Sequence, residues 1–312
     1  MITKTDTKGM TREEWLAARK QGIGGSDAGA ILSMNPYKSA FDVYADKLGL
    51  TEPKPDTEAM RQGRDLEEYV AKRFEEQTGK RVRRENHIIH NSDYPFALAN
   101  IDRAVIGEKA GLECKTTKCL SLRRYKNGEF PEEYYCQCVH YMMVTGFDKW
   151  YLAVLVFGSD FMVFEIERDE EEIEALAEAE RTFWENRVKA RVPPAPDGSA
   201  GTDNVISTVY YDDSGGAVDL TPFDKELQEL SKVKELIGEY EKEKRRLEQT
   251  IKLYMKDSSE GSYGSYRVTW RKQSRSSFDV SALIRDFVPE GTDLTDYYKT
   301  TKYRVFKVKE ID

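Results

Sequence analysis

The stretch "ANIDRAVIGEKAGLECKTTK" (residues 99–118) places Asp102, Glu113 and Lys115 in two otherwise apolar runs joined by a glycine-marked turn. Such a pattern predicts a β-hairpin. If Gly107 to Ala110 form a four-residue loop, Ile106 pairs with Gly111 and Asp102 with Lys115. Side chains alternate along a strand, so Asp102, Glu113 and Lys115 share one face while Ile101, Leu112 and Cys114 point the other way, into a core. Two neighbouring carboxylates repel unless a proton or a cation intervenes. Few hard oxygen donors, with room for water and phosphate, suit Mg²⁺ or Mn²⁺. An ion held there polarises a phosphoryl oxygen and acidifies a water, and the lysine orients that water or stabilises developing charge. This is the chemistry of phosphodiester hydrolysis. On spacing alone, a solvated strand face with one cross-strand ion pair explains the same residues.

Working outward, the periodic run 57–79 reads as a helix in which Met60, Gly63, Glu67, Val70 and Phe74 share a face and Gly79 is the stop. Glu67 is therefore the natural further carboxylate, and Gly63 one turn earlier lets a substrate backbone approach. Upstream, Thr11 with Glu14 forms a capping box, a second helix starts at Ser26 after "GIGG", and a third runs from Ser39 to Gly49. Residues 96–106 and 112–117 are the hairpin, 132–145 a helix, 150–158 and 161–167 two strands, and 169–190 a closing helix. This order predicts an α/β core of residues 1–192, a central mixed sheet flanked by helices. Residues 193–221, opening with "PPAPDGSAGTDN", have linker composition, and 222–312 form an extension with one long helix and a small β-rich tail.

The 312 residues, 39% hydrophobic and 11% aromatic, are enough for a large core. No apolar run has the length of a membrane span and the N-terminus lacks the layout of a signal peptide, which predicts a cytoplasmic protein with no membrane partner. Cysteines 114, 119, 136 and 138 read as reduced thiols. A net charge of −8 argues against nucleic acid as a partner unless positive potential is local. Acid is concentrated in 164–180, and "RVRR" (81–84) and "SLRRYK" (121–126) bracket the hairpin, so a basic cleft is compatible with the acidic total.

Asp102 followed by Glu113-Cys114-Lys115 resembles the D…ExK signature of the restriction-endonuclease-like nucleases. The chain more widely resembles the YqaJ-like viral recombinase family, relatives of the lambda exonuclease. The segments that carry the resemblance are 17–49, "MRQGRDLEEYV" (60–70), "ANIDR" (99–103), "LECKT" (112–116) and "PEEYYCQCVHYMMVTG" (131–146), in the family's order within residues 12–190. Ile101 stands where the superfamily's name has proline. The resemblance implies a restriction-endonuclease-like fold in which Asp102, Glu113, Glu67 and the Cys114 carbonyl bind Mg²⁺, with Mn²⁺ as a substitute, and Lys115 serves the attacking water. Gln137 and Tyr141 match a Gln-x-x-x-Tyr element whose i, i+4 spacing puts both on one helix face. Arg19 and Ser26 match a pocket for a 5′-terminal phosphate, consistent with an anion at a helix N-terminus. The resemblance further implies a phage- or prophage-encoded enzyme acting 5′ to 3′ on double-stranded DNA ends in the bacterial cytoplasm. Its 3′ single strands would pass to an annealing protein, and a homotrimeric ring would confine positive potential to an inner channel. The competing functions are a structure-specific or nicking endonuclease with the same metal site, and a non-catalytic DNA-binding accessory of recombination.

The four cysteines do not share a face, so no iron–sulfur cluster is expected, and three histidines are too few for a histidine metal site. Residues 230–254 carry a heptad pattern, read as a long helix packed on its own domain or in a hairpin in preference to an intermolecular coiled coil. Residues 265–280 and 297–310 interleave aromatics with Arg and Lys, which suits DNA contact, partner docking or a small sheet with basic edges.

Overall fold

The structure is a computed structural model that describes residues 1–53, 55–118, 124–125 and 128–309. The chain forms two compact units, one comprising residues 1–212 with the stretch from Arg304 onward, the other Asp213–Tyr303.

The first unit is built on a mixed five-stranded sheet. Its strands are β3 (Val82–Arg84), β6 (Arg103–Val105), β7 (Ala110–Thr117), β8 (Lys149–Val156) and β9 (Asp160–Glu167), in that spatial order. Only β7 and β8 are parallel, and α5 (Glu132–Thr145) makes the crossover between them. A second sheet has the order β1 (Ile2–Asp6), β4 (His87–Asn91), β5 (Ala97–Ala99), β2 (Ile23–Gly24). With helices on both faces of the five-stranded sheet, the core is α/β and restriction-endonuclease-like, as the sequence implied.

Alternation along β7 and β8 separates two apolar cores. Leu112 and Ala110 pack with Tyr151 and Ala153 under α4 (Glu58–Thr78), which contributes Val70, Ala71 and Phe74. On the opposite face, Trp150, Leu152 and Val154 meet α5, α2 (Gly25–Ile31), α3 (Ala40–Leu48) and α6 (Glu170–Phe183). Gly111 on β7 faces this second core, where a Cβ would lie 2.2 Å from the Trp150 ring. Thr11 and Glu14 close the expected capping box on α1 (Arg12–Arg19), and Gly79 stops α4 in the left-handed conformation.

Four local expectations differ from the structure. Residues 96–106 are two strands in different sheets, β5 and β6, separated by a bend at Asp102. The hairpin register is two residues from the expected one: Arg103 pairs with Leu112 and Ala104 with Gly111, so the turn is Ile106–Lys109. Burial sets this register, because Ala110 is enclosed in the core while Ile106 is exposed. A shift of two preserves the faces, but Asp102 comes level with Glu113 in place of Lys115. Ile101 packs in the α5 core, away from Leu112 and Cys114. Met60, expected on the buried face of α4, is exposed.

Within residues 193–221 lies α7 (Ala200–Val209), capped by Ser199, with Thr202 buried and bonded to Ser39 at 3.3 Å. In the second unit, α8 (Asp224–Met255) runs for 32 residues, followed by the hairpin of β10 (Glu260–Tyr263) and β11 (Tyr266–Thr269) and by α9 (Val280–Phe287). The expectation that α8 is covered by its own domain is not met: apart from the half-buried Leu230, its heptad side chains are exposed. Residues 298–309 form no regular element. Cys119 and most of the basic 121–126 stretch lie outside the described residues. Of that stretch, Arg124 is bound to Glu133 and Tyr125 is buried.

Candidate active site

Asp102 occupies the bend where the chain leaves one sheet for the other, so its side chain lies beside β7 instead of within a ladder. Its Oδ2 accepts the Cys114 backbone N–H at 2.8 Å. A strand residue's N–H and C=O point to the same side, which turns the Cys114 carbonyl toward Asp102 as well. Glu113 and Lys115, two residues apart on β7, face α5. From that helix Gln137 reaches both: its Nε2 donates to Glu113 Oε1 at 2.8 Å and its Oε1 accepts from Lys115 Nζ at 3.0 Å. The same amide donates to the Tyr141 hydroxyl one turn later at 2.8 Å. Lys115 Nζ also lies 2.6 Å from Glu113 Oε1 and 4.8 Å from the centre of the Tyr134 ring.

Close helix packing makes this reach possible. A Cβ on Gly25 would lie 2.6 Å from the Tyr141 ring and one on Gly29 2.9 Å from Glu133 Cα, so α2 and α5 touch through glycine. Tyr141 then packs in a tilted contact, ring centres 5.0 Å apart, against Trp150, the ring that Gly111 admits. The site helix is thereby locked to the sheet.

The electrostatics are unbalanced. Burial raises the Asp102 carboxyl well above the ordinary carboxylate range, and Glu113 and Glu67 push it further than Lys115 and the Cys114 N–H pull it back. Burial opposes the charge of Lys115, but Glu113, Tyr134 and Asp102 together outweigh it, so the ammonium holds its proton more tightly than a free lysine. Glu113 Oε2 is buried with no protein hydrogen-bond partner. A negative, desolvated acceptor left over in a native site points to a missing donor or cation.

Glu67 projects from α4 near this group but is engaged by Arg103, whose guanidinium also bonds Glu68 at 2.9 Å and the Asp102 carbonyl at 2.8 Å. Arg103 is almost fully buried and was not singled out in the sequence. The signal was an arginine inside an apolar strand, which requires acidic partners.

Arg19 and Ser26 come together as expected: Arg19 Nη2 donates to Ser26 Oγ at 3.0 Å, with the guanidinium stacked 4.6 Å over Trp15. They line one cavity of about 210 Å³ with Asp102, Glu113, Gln137 and Tyr141. Asn100 lines it too, holding the His87 carbonyl through Nδ2 at 3.1 Å and leaving Oδ1 buried without a protein partner. The sequence reading also missed the pair behind Ser26. Asp27 is buried, binds Lys47 at 2.7 Å and Lys38 at 2.5 Å, and accepts the Gly24 N–H at 3.0 Å. Lys47 in turn donates to the Arg19 carbonyl at 3.1 Å. Against the cost of burial, the two lysines hold the Asp27 carboxyl well below its ordinary range.

Among the described residues no three His, Cys, Asp or Glu side chains are gathered closely enough to hold an ion by themselves. Two carboxylates and one backbone carbonyl are nevertheless a donor set for a hard cation that keeps waters and takes phosphate oxygens. The unsatisfied Glu113 Oε2 and the repelled Asp102 fit such an ion.

The mixed five-stranded sheet flanked by helices defines a protein of the restriction-endonuclease-like fold, and the paired carboxylates, the lysine and the helix-borne glutamine gather at its central strand β7. Residues 14–148 match the model of the YqaJ-like viral recombinase domain. The YqaJ protein of Bacillus subtilis strain 168 is 39% identical over 307 residues, 97% of this chain and 95% of that one. The chain belongs to the YqaJ-like viral recombinase family. Among solved structures, LHK-Exo in complex with dAMP superposes with a TM-score of 0.50 at 21% identity, covering 58% of this chain and 94% of that one. A second structure of that alkaline exonuclease, from Laribacter hongkongensis, gives a TM-score of 0.48 at 21% identity over the same shares of the two chains. A phage-related exonuclease of Haemophilus somnus 129PT gives 0.41 at 13% identity, covering 55% of this chain and 96% of that one. No helix among the described residues is long and apolar enough to cross a membrane.

Proposed function

We propose that the protein is a Mg²⁺-dependent deoxyribonuclease of a phage-type recombination system, with Mn²⁺ as a competent substitute. It digests double-stranded DNA from its ends in the 5′ to 3′ direction and leaves 3′ single strands for an annealing protein. The observation that carries this reading is that Asp102 and Glu113, the latter bound by Lys115, line the same cavity as Arg19 and Ser26. A metal centre beside an anion pocket suits a phosphodiester next to a terminal phosphate better than one in a continuous duplex. The dAMP in the LHK-Exo crystal, a mononucleotide, is the kind of ligand that end digestion releases.

Asp102, Glu113 and the Cys114 carbonyl would hold the cation, with Glu67 adding negative charge from α4. Once bound, the ion supplies a polarised phosphoryl oxygen and a water of lowered pKa. Lys115, kept protonated by Glu113, donates a hydrogen bond to that water or to the developing oxyanion and does not act as a base. Gln137 fixes the Glu113 and Lys115 rotamers, and Tyr141 holds Gln137. Arg103 pins Glu67 and the Asp102 backbone, keeping two repelling acids in place. Arg19 and Ser26 would seat the 5′-terminal phosphate. Subunits assembled as a homotrimeric ring would enclose the duplex and reconcile binding with the acidic total charge.

The test is digestion of linear duplex DNA labelled at either end, with Mg²⁺ or EDTA, beside covalently closed circles. Release of 5′ label from linear DNA, dependent on Mg²⁺ and abolished by Lys115→Ala, is the expected result. Cleavage of the circles would replace the exonuclease reading with an endonuclease, and binding without hydrolysis would leave a DNA-binding accessory.

A further inference from the structure

The structure assigns to α8 a docking surface for a second copy of this chain, with the two helices antiparallel. The apolar positions of α8 recur at 3.5-residue spacing, and beyond the half-buried Leu230 they remain solvent-facing, from 43% exposed at Val233 to 90% at Tyr254. A helix this long with an uncovered heptad stripe has the pattern of one half of a coiled coil. Over residues 230–254 the stripe is roughly 36 Å long, and pairing it with a like stripe buries on the order of 1,500 Å², the size of a standard stable interface.

Two features select a second copy and its direction. Residues 224–240 carry net charge −2 and residues 241–255 net charge +2, so the helix complements itself when reversed. Antiparallel dipoles add to that preference. In addition, Lys244 occupies a core heptad position. Parallel pairing would set Lys244 against Lys244 of the second copy in the seam. The antiparallel register puts Ile237 opposite Leu247, Val233 opposite Ile251 and Tyr240 opposite Lys244, so each buried ammonium meets an aromatic ring. The same register sets Lys234 beside Glu248 of the second copy, twice by symmetry.

The experiment is mass measurement by light scattering on the full chain. Whatever assembly the rest of the chain makes, Ile237→Glu or Leu247→Glu should halve the mass. Lys234→Glu and Glu248→Lys alone should each weaken association about tenfold, as two exposed pairs turn from attraction to repulsion. The double variant should restore it, which guards against misreading a folding defect. A mass untouched by the α8 variants overturns the proposal, because the stripe is then covered by another partner or by nothing. Tighter association of Glu248→Lys would also overturn it, since that change relieves a Glu243–Glu248 repulsion found only in the parallel arrangement.

Discussion

Two aspartates near one cavity, Asp27 buried and Asp102 half-buried, have opposite surroundings. Asp27 has a lysine on each oxygen and a backbone N–H besides, and its carboxyl is held below the ordinary range. Asp102 has two neighbouring carboxylates, one shared lysine and one N–H, and its carboxyl is raised. The first environment is complete as it stands and shapes the wall that carries Arg19 and Ser26. The second lacks positive charge, as expected where a cation completes the site.

The largest effect that separates the two is functional. Asp102→Asn keeps an acceptor for the Cys114 N–H but gives up a carboxylate oxygen of the proposed cation site. Its hydrolysis of linear DNA should fall by roughly 10³-fold or more, a loss of the size expected when metal-derived electrostatic stabilisation disappears. In EDTA the same variant should be more stable than the parent in urea titrations, because a repelled charge has been removed. Equal stability would mean that Asp102 is not under electrostatic load.

Asp27→Asn should act the other way, costing about 3–5 kcal/mol in the same titration by leaving Lys47 charged and buried without its counter-ion. Since the folded-state carboxyl of Asp27 lies below its unfolded value, its contribution is present above about pH 4 and is lost as pH falls through the depressed folded value. Asp102 has the reverse sign. Its raised folded-state pKa penalises folding as pH rises from about 4 through that raised value, so in EDTA the parent should gain stability on mild acidification and Asp102→Asn should not.

A smaller effect links the sheet to the site. Gly111→Ala forces a methyl into the Trp150 ring and should cost about 1–3 kcal/mol. Because Trp150 packs against Tyr141, it should also lower the hydrolysis rate, whereas Gly107→Ala, in the exposed turn, should affect stability alone.

The contrast also marks what sequence could convey. Glu113, Lys115, Gln137 and Tyr141 were legible because β period and helix period each fix a face, and a register error of two leaves those faces intact. Asp102 was placed on the right face, but its bend between two sheets was not visible, since nothing in "ALANIDRAV" distinguishes one long strand from two short ones in different sheets. The Asp27–Lys47 and Arg103–Glu67 pairs were illegible for another reason. They join residues far apart in sequence, and local charge reads as solvated until the packing that buries it is known. The long helix was found by period alone, but its exposure depends on tertiary context that no heptad reveals.

The central claim is that Asp102 and Glu113 form an incomplete site for a divalent cation. Titration of the protein with Mn²⁺, followed by electron paramagnetic resonance of the free ion, tests it without reference to DNA or turnover. The account requires saturable binding that strengthens as pH rises through the raised Asp102 value, is lost in Asp102→Asn and Glu113→Gln, and persists in Lys115→Ala. Binding that is absent from the parent, or unchanged by removing either carboxylate, would contradict it.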